Sequence, residues 1–271
     1  MGVITPHNRK SVIALVAIFG FGLGAYGLSQ VYPPLGVISG TMSPAQRYVD
    51  KLTDGEIPAR GRYVLVDAAS ARLFMIEDGR VRDSMKVIVG KPAAATPALR
   101  STLYYATLNP YWNVPVDLAQ KIIAPKVVAE GTAYLTDRGY EVVTSFGDDA
   151  QVLSPDSVDW PAVAAGTETV RVRQKPGPAN SMGQMKFNLA NAQGIFLHDT
   201  PNKVPFAAAE RNISNGCVRL EDAPRFAKWL LGGDPPLAIA PPESHLLVRG
   251  GVPITIAYLG ARAQTQLAGL Q

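Results

Sequence analysis

Cysteine is almost absent from this chain of 271 residues, which contains only Cys217. A single thiol cannot form an internal disulfide, so the fold must be stable without such crosslinks. Charged residues are also scarce, at 18%, whereas hydrophobic residues make up 47%. The 22 prolines and 25 glycines indicate many turns, which disfavours a bundle of long helices and favours a β-rich globular fold.

The sequence has too few metal-ligating residues for a zinc site and lacks the basic runs typical of nucleic-acid-binding proteins. A zinc site needs three or four ligands, and the chain offers one cysteine and the histidines His7, His198 and His245. We therefore expect no metal and no cofactor. The net charge of +4 suits an anionic surface such as a membrane or a cell wall. The Lys and Arg residues are scattered, without a basic run interleaved with aromatics, so nucleic acid is not an expected partner.

The N-terminal region predicts where the protein resides. Residues 11–28 form an uncharged, mainly apolar stretch near the lower limit for spanning a bilayer. Basic side chains within residues 1–10 predict that this end stays in the cytoplasm and that the remainder is exported to the periplasm. The length of the apolar run favours a retained inner-membrane anchor. Small residues at Ala25-Tyr26-Gly27 leave a cleaved signal peptide as the alternative.

The rest of the chain divides into a tether, one domain and a tail. Residues 29–59 are interpreted as a periplasmic tether, with a short helix over 44–52. Residues 60–259 form the predicted domain, and residues 260–271 a tail. Short runs of β-forming residues separated by turn residues, including Asp78-Gly79, favour an antiparallel meander or a sandwich. The predicted strands cover 63–66, 72–76, 81–89, 101–108 and 252–258.

Between residues 109 and 180 the strand pattern gives way to a proline-rich segment. Short helices are predicted over 117–128 and 160–165, and we interpret residues 113–180 as an insertion that forms a helical lid on the β core. After it, the apolar run 194–197 predicts a buried strand that ends at His198. Residues 223–231 predict an amphipathic helix.

The side chains best suited to acid–base and nucleophilic chemistry are those of His198 and Cys217. A lone thiol in an exported protein is either a small buried apolar residue or a reactive group. A histidine within hydrogen-bond reach could take the thiol proton and produce a nucleophile. Gly216 would allow a sharp backbone turn, so that successive N–H groups could point at a developing oxyanion.

The spacing of these residues resembles a known signature. His198, 15 intervening residues and then Ser214-Asn215-Gly216-Cys217-Val218-Arg219 resemble the motif of the L,D-transpeptidase (YkuD) family. Asn215 departs from the commonest motif, which has a second histidine there, so any mechanism requiring two imidazoles is weakened. The segments 109–115, 177–183, 186–188 and 197–202 are similar to the large, lid-bearing branch of the family, and the resemblance spans residues 60–232.

The resemblance implies a mainly β fold with α insertions: a β-sandwich-like core carrying a helical lid. It also implies that Cys217 attacks the diamino acid carbonyl of a peptidoglycan tetrapeptide stem, releases D-alanine and passes the acyl group to an amine as a 3-3 crosslink. His198 would be the base and the Asp199 carbonyl would orient it, and carbapenems would acylate the thiol. The positions implied for the oxyanion hole and for substrate binding are Ser214, Asn215, Gly216, Arg219, Phe196 and Trp112.

Two alternatives stay open from the sequence. The same acyl-enzyme could be resolved by water or by a lipoprotein amine, which would make the protein a carboxypeptidase, a hydrolase or an attachment enzyme. The other alternative is a non-catalytic wall-binding module in which Cys217 is merely buried. His245 lies in a Pro-Pro-Glu-Ser-His loop without a surrounding motif, so we expect it at the surface rather than as a second base.

Overall fold

The computed structural model describes residues 60–260 and Leu267. The predicted anchor over 11–28, the tether with its helix, and the order of the tail therefore lie outside the described residues. Within residues 60–260 and at Leu267, no helix combines the length and apolar character needed to cross a membrane.

A nine-stranded mixed sheet makes up the core, in the order β11-β3-β12-β10-β9-β4-β13-β1-β2. The sheet closes on itself, because β2 pairs with β3 as well as with β1. The predicted mainly β fold is therefore confirmed. The strands are β1 Arg62–Asp67, β2 Arg72–Glu77, β3 Arg80–Gly90, β4 Leu99–Leu108, β9 Met185–Leu189, β10 Leu197–His198, β11 Asn212–Ser214, β12 Val218–Leu220 and β13 Ser244–Ala257.

The expected antiparallel meander is correct only for β1 to β3. Strand β13 returns from the far end of the chain and runs parallel to β1, while β10 runs parallel to β12 and β11 runs parallel to β3. Parallel neighbours need long connections. The loop between β10 and β11 forms much of the connection between the parallel strands β10 and β12, and it carries the chain from His198 towards Cys217.

One amphipathic helix packs against the core, as the sequence predicts for residues 223–231. This helix, α5, spans Ala223–Leu231; the Asp222 side chain accepts a hydrogen bond from the Arg225 N–H at its start, and Gly232 ends it in the left-handed conformation. Phe226 packs edge-on against Phe187 of β9, with ring centroids 4.8 Å apart. Each such side chain contributes roughly 1.5–3 kcal/mol on full burial.

The insertion has its own hydrophobic core, which includes Ile123, Leu135, Val163 and Val172. It is not purely helical as expected, since four short strands form a second sheet in the order β5-β8-β6-β7. These strands are β5 Trp112–Asn113, β6 Tyr140–Val143, β7 Val152–Leu153 and β8 Val172–Gln174. The helices are α1 Val116–Leu118, α2 Ala124–Glu130, α3 Ala133–Asp137 and α4 Trp160–Ala165, with π geometry at Ala119–Ile123 between α1 and α2.

Asn180 joins the two ends of the insertion. Its buried side chain donates to the carbonyls of Pro110, Gln174 and Lys175, and its oxygen accepts from the N–H of Met182. The outgoing and returning chains are thus tied together at the point where they leave and rejoin the β core. Short helical turns at Pro92–Ala94, Pro155–Ser157 and Val204–Ala207 complete the described structure.

Candidate active site

The pairing of β10 with β12 places the candidate residues on one face of the sheet. Leu197 pairs with Val218 and His198 with Arg219. Side chains alternate along a strand. Because Leu197 and Val218 are completely buried in the core, His198 and Arg219 point to the opposite face. Strand β10 is shorter than the predicted 194–197 segment, but the Val218 N–H still donates to the Phe196 carbonyl at 3.0 Å, which places Cys217 beside Phe196.

One ring nitrogen of His198 is engaged in a hydrogen bond to the backbone. Its Nδ1 is hydrogen-bonded to the backbone carbonyl of Asp199, and because a carbonyl can only accept, Nδ1 carries the proton. Burial and the positive charge of Arg219 lower the pKa of His198 to about 4, against the smaller opposing effect of the Asp199 hydrogen bond. At neutral pH the imidazole is therefore uncharged, and Nε2 has a lone pair that can accept a proton.

The Cys217 side chain is partly exposed and rests as a thiol. Its Sγ donates a weak hydrogen bond to the Gly194 carbonyl at 3.8 Å. Burial raises the pKa of the Cys217 thiol above its ordinary value, while the Phe196 backbone and the charges of Arg219 and Lys186 act in the opposite direction. At neutral pH both the thiol and the imidazole are uncharged, so a nucleophilic thiolate would require removal of the thiol proton.

The turn at Cys217 contains two N–H groups that are available to bind a ligand. Ser214 Oγ donates to the Cys217 carbonyl at 2.7 Å and accepts from the Gly216 N–H at 3.1 Å, so Ser214 shapes the turn. Within residues 60–260, the N–H groups of Asn215 and Cys217 have no hydrogen-bond acceptor. Of the three N–H groups that the resemblance implies for an oxyanion hole, that of Gly216 is already occupied and the other two are available.

Thr96 holds this turn from a distant part of the chain, and sequence reasoning missed it. Its buried hydroxyl donates to the Gly216 carbonyl at 2.8 Å and accepts from the Gly90 N–H at 2.8 Å. Gly216 has a φ of 120°, a conformation that favours glycine. The hydroxyl thus fixes the orientation of the peptide plane between Gly216 and Cys217.

The carboxylate of Asp199 orients the backbone that contacts His198. One carboxylate oxygen accepts from the Gln184 N–H at 3.0 Å, and the other from Lys203 Nζ at 2.7 Å. Lys203 also donates to the carbonyls of Leu220 and Glu221, which lie at and just after the end of β12. The Asp199 carbonyl that holds His198 Nδ1 is therefore braced by a side-chain network linking β9, β10 and β12, which sequence reasoning missed.

The long connection between His198 and Cys217 is anchored by Arg211. This buried guanidinium donates to five backbone carbonyls in three stretches of chain. Its position one residue before β11 fixes where the chain turns towards Cys217. The acceptors are the carbonyls of Val87, Ala208, Ala209, Ser70 and Ala71.

Two other predicted positions are less closely joined to this centre. Trp112 lies on β5 and packs against the insertion's core beside Tyr140, with no hydrogen bond or ring contact to His198 or Cys217 in the described part of the chain. Asn215 is exposed. His245 is also exposed and hydrogen-bonds to Thr107 at 3.1 Å, away from the thiol. Over residues 60–260, no group of three or more His, Cys, Asp or Glu side chains could hold a metal ion.

A lone thiol, a neutral histidine and unoccupied N–H groups are the kinds of group that acyl transfer requires. The catalytic-domain model of the L,D-transpeptidase (YkuD) family matches residues 61–239. The chain belongs to this family, and the resemblance seen in the sequence is confirmed.

A curated relative supports the same assignment. A Haemophilus influenzae protein named "Putative L,D-transpeptidase" is 34% identical over 175 residues, which is 65% of this chain and 35% of the relative. The chain thus spans about a third of the length of that relative.

Solved L,D-transpeptidases overlap with this chain more loosely. The enzyme from Mycobacterium smegmatis gives a TM-score of 0.37 at 16% identity, covering 72% of this chain and 58% of that one. L,D-transpeptidase 3 from Mycobacterium tuberculosis gives 0.34 at 14% identity, with coverage of 73% and 61%. The assignment to the family therefore rests on the sequence match.

Proposed function

We propose that the protein is a cysteine L,D-transpeptidase of the bacterial periplasm, which crosslinks peptidoglycan stems through a thioester on Cys217. The observation that carries this proposal is the position of His198 on β10, paired with the strand that directly follows Cys217. A neutral His198, with Nδ1 held by the Asp199 carbonyl, presents Nε2 as a base.

In the first half-reaction, Nε2 of His198 takes the thiol proton as Sγ attacks the diamino acid carbonyl of a tetrapeptide stem. The carbonyl becomes an oxyanion that the N–H groups of Asn215 and Cys217 are free to bind. Collapse of this intermediate breaks the amide bond, and the imidazolium returns its proton to the amine of the departing D-alanine. The products are the Cys217 thioester and free D-alanine.

In the second half-reaction, an incoming amine attacks the thioester while neutral His198 accepts its proton. The thiolate leaves and is reprotonated, and the new amide is the 3-3 crosslink. Water or a lipoprotein amine would complete the same cycle with another product. The available N–H groups and the thiol are common to all these outcomes, so the acceptor must be identified by experiment.

The insertion, as a lid, would shape the donor pocket. Four residues after the insertion ends, the Gln184 N–H donates to the same Asp199 carboxylate that braces the His198 contact. We propose that it closes a substrate cleft that also includes Phe196, Trp112 and Arg219. If the lid builds the pocket, replacing residues 113–179 by a short linker should impair acylation itself, whereas loss of affinity alone would indicate an open cleft.

Mass spectrometry of muropeptides after incubation with the purified protein would test the reaction. Dimers with 3-3 crosslinks are expected from the wild type, and none from Cys217→Ala or Cys217→Ser. His198→Ala should nearly eliminate acylation, whereas the matched exposed variant His245→Ala should change little. Substantial turnover by either cysteine variant, or the reverse ranking of the two histidines, would refute the assigned roles.

Intact-protein mass spectrometry with a carbapenem provides a second test. The thiolate should open the strained lactam and leave an adduct that disappears in Cys217→Ser. A serine-directed fluorophosphonate should label Ser214 hardly at all, because its hydroxyl is engaged with the Cys217 carbonyl and has no base. A carbapenem adduct that persists in Cys217→Ser would identify another nucleophile.

A further inference from the structure

Two cations flank the catalytic histidine on neighbouring strands. His198 of β10 pairs with Lys186 of β9 on one side and with Arg219 of β12 on the other. Paired residues on adjacent strands project to the same face. With strands roughly 4.8 Å apart, the two basic side chains start about 10 Å from each other, with His198 between them.

The ammonium group of Lys186 lies near Phe196, the residue beside Cys217. Its Nζ lies over the ring of Phe196, 5.2 Å from the centroid. Phe196 precedes His198 by two positions on the same face, and its carbonyl accepts the Val218 N–H, so Cys217 lies beside it. The positive charges of Lys186 and Arg219 also act on the pKa values of both His198 and Cys217.

Neither cation has an acidic partner within the described part of the chain. Lys186 and Arg219 take part in none of its ion pairs, and Nε of Arg219 is buried without a hydrogen-bond acceptor. Elsewhere on the domain, Lys203 and Arg225 are paired with carboxylates. Lys186 and Arg219 are both half-buried, and desolvation of an unpaired charge is unfavourable, so a bound anion would offset this cost.

We propose that Lys186 and Arg219 together bind a free carboxylate adjacent to the bond that Cys217 attacks. This inference rests on the proposed function and deepens it by naming what the site recognises. The carboxylate of the departing terminal residue is connected to the attacked carbonyl only through that residue's nitrogen and α carbon, so it lies within reach of both side chains. A donor whose terminal carboxylate is amidated or extended would lose these contacts.

Alkylation of Cys217 tests the cation pair without requiring turnover. Iodoacetate and iodoacetamide react with the same thiolate and release iodide, but only iodoacetate carries a carboxylate. Their rate ratio cancels any change in thiolate fraction. We expect the ratio of iodoacetate to iodoacetamide rates to fall about tenfold in Lys186→Met, the size expected for removing one charge several ångströms away at intermediate dielectric.

Two controls make this result specific. Lys186→Arg should retain the wild-type ratio, and Lys121→Met, on the exposed surface of the insertion, should leave it unchanged. In the wild type, raising the salt concentration should slow alkylation by iodoacetate more than by iodoacetamide. A ratio that is equal in the wild type and Lys186→Met, or insensitive to salt in the wild type, would overturn the proposal.

A peptide pair then tests the identity of the carboxylate. The wild type should release the terminal residue from a tetrapeptide with a free terminal carboxylate at least tenfold faster, in kcat/KM, than from its terminal amide. Lys186→Met should lose most of this preference, and an undiminished preference would refute the role. If neither peptide reacts, the proposed transpeptidase function fails, while the alkylation ratio still decides whether the cation site exists.

Discussion

Lowering the pH should destabilise this protein through one buried residue, His198. The side chain is only 4% exposed, and burial, with the positive charges of Arg219 and Lys186, lowers its pKa from 6.5 to about 4. The unfolded chain then binds a proton at a higher pH than the folded chain does. The difference is worth about 3 kcal/mol at 1.36 kcal/mol per pKa unit.

The direction of the effect follows from this difference. Above pH 6.5 the imidazole is neutral in both states, and the fold keeps its full stability. As the pH falls from 6.5 to about 4, only the unfolded state gains the proton, so the free energy of unfolding decreases. Below about 4, both states are protonated and the loss from this residue levels off.

Urea unfolding of the wild type and of His198→Gln, from pH 8 to pH 4, would measure this contribution. Carboxylates elsewhere titrate in both proteins, so the difference between the two curves isolates His198. We expect the wild type to lose about 3 kcal/mol more than the variant between these limits. His245→Gln, which removes an exposed histidine, should follow the wild type. Parallel curves for wild type and His198→Gln would show that His198 is not a buried neutral base.

Three further outcomes follow from the packing and hydrogen bonds of the site. Arg211→Met should lower the free energy of unfolding by about 3 kcal/mol in a denaturant titration, because five carbonyls lose their donor. Gly183→Ala should reduce acylation by a carbapenem at least tenfold, because the added methyl group would collide with the Asp199 carboxylate at a φ of 62°. Alkylation of Cys217 by iodoacetamide should rise with pH through a pKa above the ordinary thiol value, since burial raises it; a plateau between pH 5 and 8 would instead indicate a thiolate–imidazolium pair.

The fold was predictable where hydrophobic alternation is uninterrupted. Strands β1 to β4 and the helix Ala223–Leu231 lie where the sequence predicts them. The last strand was predicted only from Val252, although β13 begins at Ser244. Gly250 and Gly251 both have positive φ, and the register shifts between Leu247 and Val252. A bulge of this kind breaks the two-residue period on which strand prediction depends.

The sheet of the insertion was missed for another reason. Its strands are two to four residues long, too short to show alternation, so the prolines and the helical segments dominated the pattern. Buried positions such as Val142 and Val172 carry β-branched side chains, but isolated pairs of this kind do not distinguish a strand from a buried loop.

The residues of the site that the sequence suggested are defined by local features, and those that it missed are defined by contacts between distant parts of the chain. His198, Cys217 and the Ser214 turn could be proposed as candidates from the sequence because motif spacing and a glycine before the thiol are local features. Thr96 contacts Gly216 across 120 residues, and Arg211 contacts Ser70 across 141. These bonds depend on which strands become neighbours. Lys203 is closer in sequence, but its contact with Asp199 looks like an ordinary surface ion pair until its two carbonyl acceptors are known.

The placement of His198 and Arg219 on one face of the sheet is a consequence of the hydrophobic core on its other face. Leu197 and Val218 must both face inward, and in a two-residue period this choice alone sends His198 and Arg219 outward together. A slip of one residue in either strand would turn a polar side chain, His198 or Arg219, into the core and an apolar one out of it, which is unfavourable. The hydrophobic pattern thus fixes the register, and the register places His198 and Arg219 side by side on the face opposite the core.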